Sequence, residues 1–155
     1  MSAASAATTQ ARKDLLEIVS EAINQIGRAL AALGTAYENL DEPTADRLEQ
    51  DLFRPVQLAY GRAQRAHTSF AARSGLRVRK FTPPPQNSPG RSTIELIDRA
   101  VSHAQDADTG LSTLQDSMLP VDVGDPQLRE DLAQTRQALA EVPRHATAFM
   151  REFGR

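Results

Sequence analysis

The 155-residue chain contains no cysteine and no tryptophan, and aromatic residues make up 5% of it. The missing cysteines exclude disulfides, thiol nucleophiles and cysteine-ligated zinc or iron–sulfur centres, and they fit a reducing interior. The scarcity of aromatics leaves an aliphatic, alanine-rich core, which helices supply more readily than sheets. No run of 18 apolar residues occurs, so no segment has the length and character of a membrane-spanning helix. The start, MSAASAATTQ, has neither a basic n-region nor an apolar h-region, and residues 1–10 read as a disordered lead-in. Lysine is scarce too: Lys13 and Lys80 stand against 16 arginines. That bias, with the alanine content, points to a GC-rich bacterial genome.

What remains is ordinary for a globular protein, with 40% apolar and 25% charged residues. Apolar positions recur at alternating steps of three and four in four stretches. The first runs Leu16, Val19, Ile23, Ile26, Leu30, Leu33, Tyr37 and Leu40. The second runs Leu48, Leu52, Val56, Ala59, Ala63, Ala66 and Phe70. The third has Ile97, Ala100, Ala104, Ala107, Leu111, Leu114 and Met118, widened by Val101. The fourth has Leu128, Leu132, Thr135, Leu139, Val142, Ala146, Phe149 and Phe153.

Punctuation agrees with this division. Asp41 before Glu42-Pro43 and Asp125 before Pro126 are cap-then-proline starts, and Ser92 with Glu95 forms a capping box. Gly75 and Pro120 mark helix ends. The spacing therefore predicts an all-α chain, an antiparallel up-down-up-down four-helix bundle over residues 11–155. Its helices lie near 11–40, 42–73, 92–119 and 126–153, with a basic, proline-rich connection at 74–91. Pro55 and Pro143 fall inside the second and fourth helices, so kinks, or a break before Pro55, are expected there. Ala59, Ala63 and Ala66 are expected to face Ala100, Ala104 and Ala107 in a tightly packed layer.

Templates for chemistry mostly fail. There is no Glu-x-x-His pair of the di-iron kind, no Gly-rich phosphate loop, no G-x-S-x-G and no H-E-x-x-H. His67, His103 and His145 fall beside three different seams, so they are expected to be boundary or solvated side chains, with no metal site. No catalytic residue and no cofactor are expected. Residues 65–75, Arg-Ala-His-Thr-Ser-Phe-Ala-Ala-Arg-Ser-Gly, resemble the histidine phosphotransfer motif, which is also carried on four-helix bundles. The resemblance implies a phospho-accepting His67, exposed and beside a cation. Phe70 and Ala71 stand where that family has lysine and glycine.

Charge is the uneven feature. Residues 52–94 hold eight basic side chains and no acid, and residues 95–125 hold seven acids against Arg99 alone. On an up-down-up-down course one end of the bundle collects 13 bases and 7 acids, and the other 5 bases and 13 acids. Arg73, Arg77, Arg79, Lys80 and Arg91 become candidate contacts for an anion or a partner. The neutral alternative is that the basic second helix merely complements the acidic third. The sequence thus points to a non-enzymatic, cytoplasmic interaction or scaffold module with an unidentified protein partner and weak, salt-sensitive anion binding. Two alternatives stand beside it: a carrier with an apolar cavity at the alanine layer, and a degenerate phosphotransfer domain.

Overall fold

The structure, a computed structural model, describes residues 3–85 and 90–153. Those residues are 84% helical and include no strand. The helices are α1 (Ala3–Glu38), α2 (Glu42–Leu48), α3 (Arg54–Arg73), α4 (Thr93–Asp116), α5 (Leu119–Val123), α6 (Pro126–Ala140) and α7 (Val142–Phe153). A π turn at Glu49–Phe53 joins α2 to α3 without a break. α1 begins at Ala3, inside the stretch expected as a lead-in. Residues 1–2 of that lead-in and residues 86–89 of the long connection, Pro89 among them, lie outside the described residues.

The expected punctuation is in place. Asp41, Ser92 and Asp125 each accept a hydrogen bond from the backbone N–H three residues on, at 3.2, 3.2 and 2.9 Å. Pro55 sits in the first turn of α3, directly after the π turn. The wider turn accommodates a residue that cannot donate and that would crowd the preceding carbonyls. Pro143 likewise follows a one-residue interruption at Glu141, between α6 and α7. The third helix ends earlier than expected. Ser117 donates its hydroxyl to the Leu114 carbonyl at 2.6 Å, α4 stops at Asp116, and Pro120 opens the short α5 instead of closing α4. Met118, expected in the seam, is therefore 65% exposed.

The core follows the heptad reading almost throughout. Every seam position of the second run is buried, from Leu48 to Phe70. Thr135, in the fourth, is enclosed but satisfied, donating its hydroxyl to the Asp131 carbonyl at 2.9 Å. Tyr37 departs from the pattern, at 39% exposure near the end of α1. α1 buries more than its seam: Leu15, Ala22, Ala29, Ala32 and Ala36 are enclosed as well. It packs on α3, α4 and α5, so its apolar surface has to be wide.

The connectivity is not up-down-up-down. Arg73 at the end of α3 pairs with Asp125 at the start of α6, and Arg47 on α2 pairs with Glu152 near the end of α7. The last run therefore lies antiparallel to the second, and the described C-terminus stands beside α2. α4 ends nine residues before Asp125, so its C-terminus is at the Arg73 end, which is also where α1 begins. α4 thus runs antiparallel to α1. The chain reaches the start of α4 only by crossing the length of the molecule after α3. Packed pairs are α1 with α4, α1 with α3, α3 with α6 and α4 with α6. α3 and α4 are not packing partners, so the two alanine rows do not face each other. The α4 row instead lets that helix lie close to α1, through small residues on both sides.

This course also reduces the expected axial charge. Residues 3–22, 58–80 and 108–138, at one end, carry 10 bases and 9 acids. Residues 23–57, 81–85, 90–107 and 139–153, at the other, carry 7 bases and 11 acids. Among the described residues there is no strongly basic end.

Candidate functional site

The crossing segment, residues 76–85, is an extended strap laid along α1 and α3. Its launch is set by sequence. Gly75 takes φ +69°, the left-handed region, and the Leu76 N–H donates to the Ala71 carbonyl at 2.8 Å while Gly75 N–H donates to Ala72. This Schellman closure ends α3 and turns the chain back along the molecule. Leu76 then packs against the core, and so does Phe81. Further on, Pro83 and Pro84 pass over Gly27 of α1 beside the Tyr60 ring. A Cβ at position 27 would meet all three at 3.5–3.6 Å, so the glycine marks close but unstrained contact.

Beneath the strap lies a polar cluster. His67 is fully buried, and its Nε2 is 3.1 Å from the Ser20 hydroxyl. Arg79 donates to Ser20 Oγ at 3.0 Å and to Glu17 Oε1 at 2.9 Å. The serine oxygen accepts from the guanidinium and still has both a proton and a second lone pair, so the imidazole tautomer decides which partner donates in the Ser20–His67 bond. Nδ1 is enclosed and has no hydrogen-bond partner among the described residues. The Phe81 ring meets the imidazole edge-on, with centroids 5.1 Å apart, and the Arg79 guanidinium lies 5.6 Å from the Phe81 centroid. Burial and the neighbouring Arg79 hold the His67 pKa below the usual 6.5, against a smaller upward pull from Glu17. The ring is therefore neutral, and an added proton would have to sit buried beside a guanidinium.

The structure splits the five candidate contacts. Arg73 is committed to Asp125 by two hydrogen bonds, at 3.0 and 2.9 Å. Burial pushes the Asp125 carboxyl up, but the Arg73 hydrogen bond and the backbone N–H groups of Leu128 and Gln127 bring it below its usual value. Arg79 is the strap's polar anchor, and Arg91 pairs with Glu95 at 3.8 Å. Arg77 and Lys80 are exposed, with no charged partner among the described residues, and Val78 between them is 46% exposed. Arg73 and Arg91 are not brought together with the three strap residues.

The histidines part company as well. His67, expected at a boundary or in solvent, is instead interior. His103 is half-buried on α4, 2.8 Å from Gln25 Oε1 through its Nδ1. His145 is half-buried on α7. Among the described residues no cluster of three potential metal ligands occurs. No helix among them is long and apolar enough to cross a membrane.

Sequence reading missed Ser20 and Glu17. Both lie on α1, but only the return of the strap makes them partners of Arg79 and His67. Fold and site together define an all-helical protein with an extended strap clamped over a buried Ser–His pair. No known protein family, no curated protein and no solved structure matches the chain.

Proposed function

We propose that this chain is a non-enzymatic interaction module. In this reading it is an antiparallel bundle of four rods whose strap offers Arg77, Val78 and Lys80 to an acidic face of a protein partner. The carrying observation is the division of the strap into two faces. Leu76, Arg79 and Phe81 are used inward to clamp the segment, while Arg77, Val78 and Lys80 are left to solvent. Two cations flanking an exposed valine, held on an ordered backbone, can meet a partner without the ordering cost of a flexible loop. A cytoplasmic setting goes with this reading and rests on composition alone.

The non-catalytic part of the reading is supported by the enclosure of Ser20 and His67, at 2% and 0% exposure. A substrate carbonyl cannot approach Ser20 Oγ beneath the strap, and His67 Nδ1 has no carboxylate to orient it, unlike a hydrolytic triad. The same enclosure weighs against the phosphotransfer alternative, which needs an exposed His67. The carrier alternative loses its layer of facing alanines.

The test is retention on heparin and on an acidic peptide column, wild type against Arg77→Ser/Lys80→Ser. The wild type is expected to be retained and to elute earlier as salt rises, since screening shortens from about 10 Å at 0.1 M to about 3 Å at 1 M. Equal elution of the two proteins on both columns would remove the strap as the contact surface.

A further inference from the structure

Beyond the strap's outer face, a second cationic locus is assembled beside Pro84 and Pro85. Arg28 of α1, Arg99 and His103 of α4, and the strap's Pro84 and Pro85 line one pocket of about 150 Å³. At about 30 Å³ of liquid per water, that volume holds roughly five waters, or a tetrahedral oxyanion with some of its hydration. Ala31 and Ala32 of α1 line it as well. No carboxylate lines it. Arg99 has no ion pair among the described residues, and Arg28 has only a loose one with Glu21, at 3.6 Å between exposed side chains.

The histidine ring is held by one hydrogen bond. Gln25 Nε2 donates to Glu21 Oε1 at 3.3 Å, which fixes the amide so that its Oε1 accepts from His103 Nδ1–H. Nε2 is then the ring nitrogen left for a ligand: a bare acceptor in the neutral ring, a donor once protonated. Burial and the charges of Arg28 and Arg99 hold the His103 pKa below 6.5, against Asp106, which raises it. Two guanidinium groups that repel each other around one small opening are relieved by an anion, and their forks suit the spread oxygens of a phosphoryl group.

We propose that the Arg28–Arg99–His103 pocket is a binding site for a phosphate-class dianion, inorganic phosphate or a small phosphomonoester. It uses none of the residues of the strap's outer face and stands whether or not that face meets a partner. Binding stabilises the imidazolium, so the bound dianion raises the His103 pKa and draws in a proton. Arg28, Arg99, Asp106 and the Glu21–Gln25 pair surround the ring from α1 and α4, Arg91, Glu95, Asp98 and Ser102 border the neighbouring opening that His103 and Arg99 also line, and the strap contributes only prolines.

The experiment follows the His103 ring resonances by NMR on the full chain during titration with inorganic phosphate, with O-phosphoserine, and with acetate or chloride at matched ionic strength. Saturable shifts with the phosphates, and a His103 pKa higher in their presence, are expected. Binding to the two phosphates separates free phosphate from a monoester as the better ligand. Arg28→Gln and Arg99→Gln, both at exposed positions, should each weaken binding roughly tenfold or more, as expected for loss of a hydrogen bond to a charged group. Glu21→Gln should tighten it by removing the competing carboxylate. Arg77→Ser/Lys80→Ser should leave it unchanged. Phosphate effects no larger than those of acetate or chloride, or equal weakening by the strap variant, would overturn the site.

Discussion

α1 is covered on two flanks in two different ways. α4 lies along it, and both helices bury rows of small side chains, Ala22, Ala29 and Ala36 on α1 and Ala100, Ala104 and Ala107 on α4. The strap lies along it through a few specific points: the Ser20–Arg79–Glu17 hydrogen bonds, the Phe81–His67 ring contact and the passage of Pro83 and Pro84 over Gly27. The first kind of contact is non-directional and degrades gradually. The second is directional, and losing one member leaves others buried without partners. Segments held in the second way open more readily than the core they cover.

The largest expected effect tests the apolar side of this contrast. Leu30→Ala and Leu139→Ala remove side chains that are 5% and 2% exposed, and each should cost about 2–5 kcal/mol in denaturant unfolding. Wild-type stability in Leu30→Ala would show that the α1 seam does not carry the core.

A smaller effect is expected on the strap. Phe81→Ala deletes a half-buried ring and should cost about 1–2 kcal/mol, less than a full core truncation. The same change should speed tryptic cleavage at Arg77, Arg79 and Lys80 well beyond what the lost global stability explains, because the strap opens locally. Cleavage that merely tracks global unfolding would mean that strap and helices form one cooperative unit.

The smallest expected effect is the dependence on pH. His67 has a folded-state pKa below the 6.5 of the unfolded chain, so below that pH the unfolded state binds more protons. Its contribution is fully present above pH 6.5 and is lost as pH falls from there through the folded value. Each tenfold difference in proton affinity between the two states is worth about 1.4 kcal/mol. Melting between pH 7.5 and pH 5 should show stability falling with acid, as roughly set by that relation, and His67→Gln should flatten the slope whatever it does to the level. His103 shifts in the same direction, so His103→Gln should flatten it further. An unchanged slope in the double variant would show that neither histidine carries the acid sensitivity, since a carboxylate such as Asp125, held below its usual 3.8, titrates under this range.

Most of the helices were legible because burial of a helix face leaves a period in the sequence. The seams from Leu16 to Leu33, Leu48 to Phe70 and Leu128 to Phe149 are core as read, and the caps at Asp41, Ser92 and Asp125 sit where short side chains can reach an orphan amide. The candidate site was only half legible. The isolation of Arg77, Val78 and Lys80 from acids could be read locally. The burial of His67 could not, because its neighbours in sequence place it beside a seam, while its enclosure depends on Phe81, fourteen residues later, folding back over it. Nor could the meeting of Arg28 with Arg99 and His103, which belong to helices joined only through the long connection.

By itself, then, the sequence determined what is local and periodic: helical content, most core faces, the N-caps, the proline interruptions and the left-handed turn at Gly75. Only the tertiary structure decided the direction of the strap, and with it which helices pair, where charge accumulates and which histidine is sealed. The physical reason is that a heptad pattern fixes which face of a helix is apolar but not which neighbour covers it. An 18-residue connection is also long enough either to turn at one end or to cross to the other, and no short-range preference separates the two.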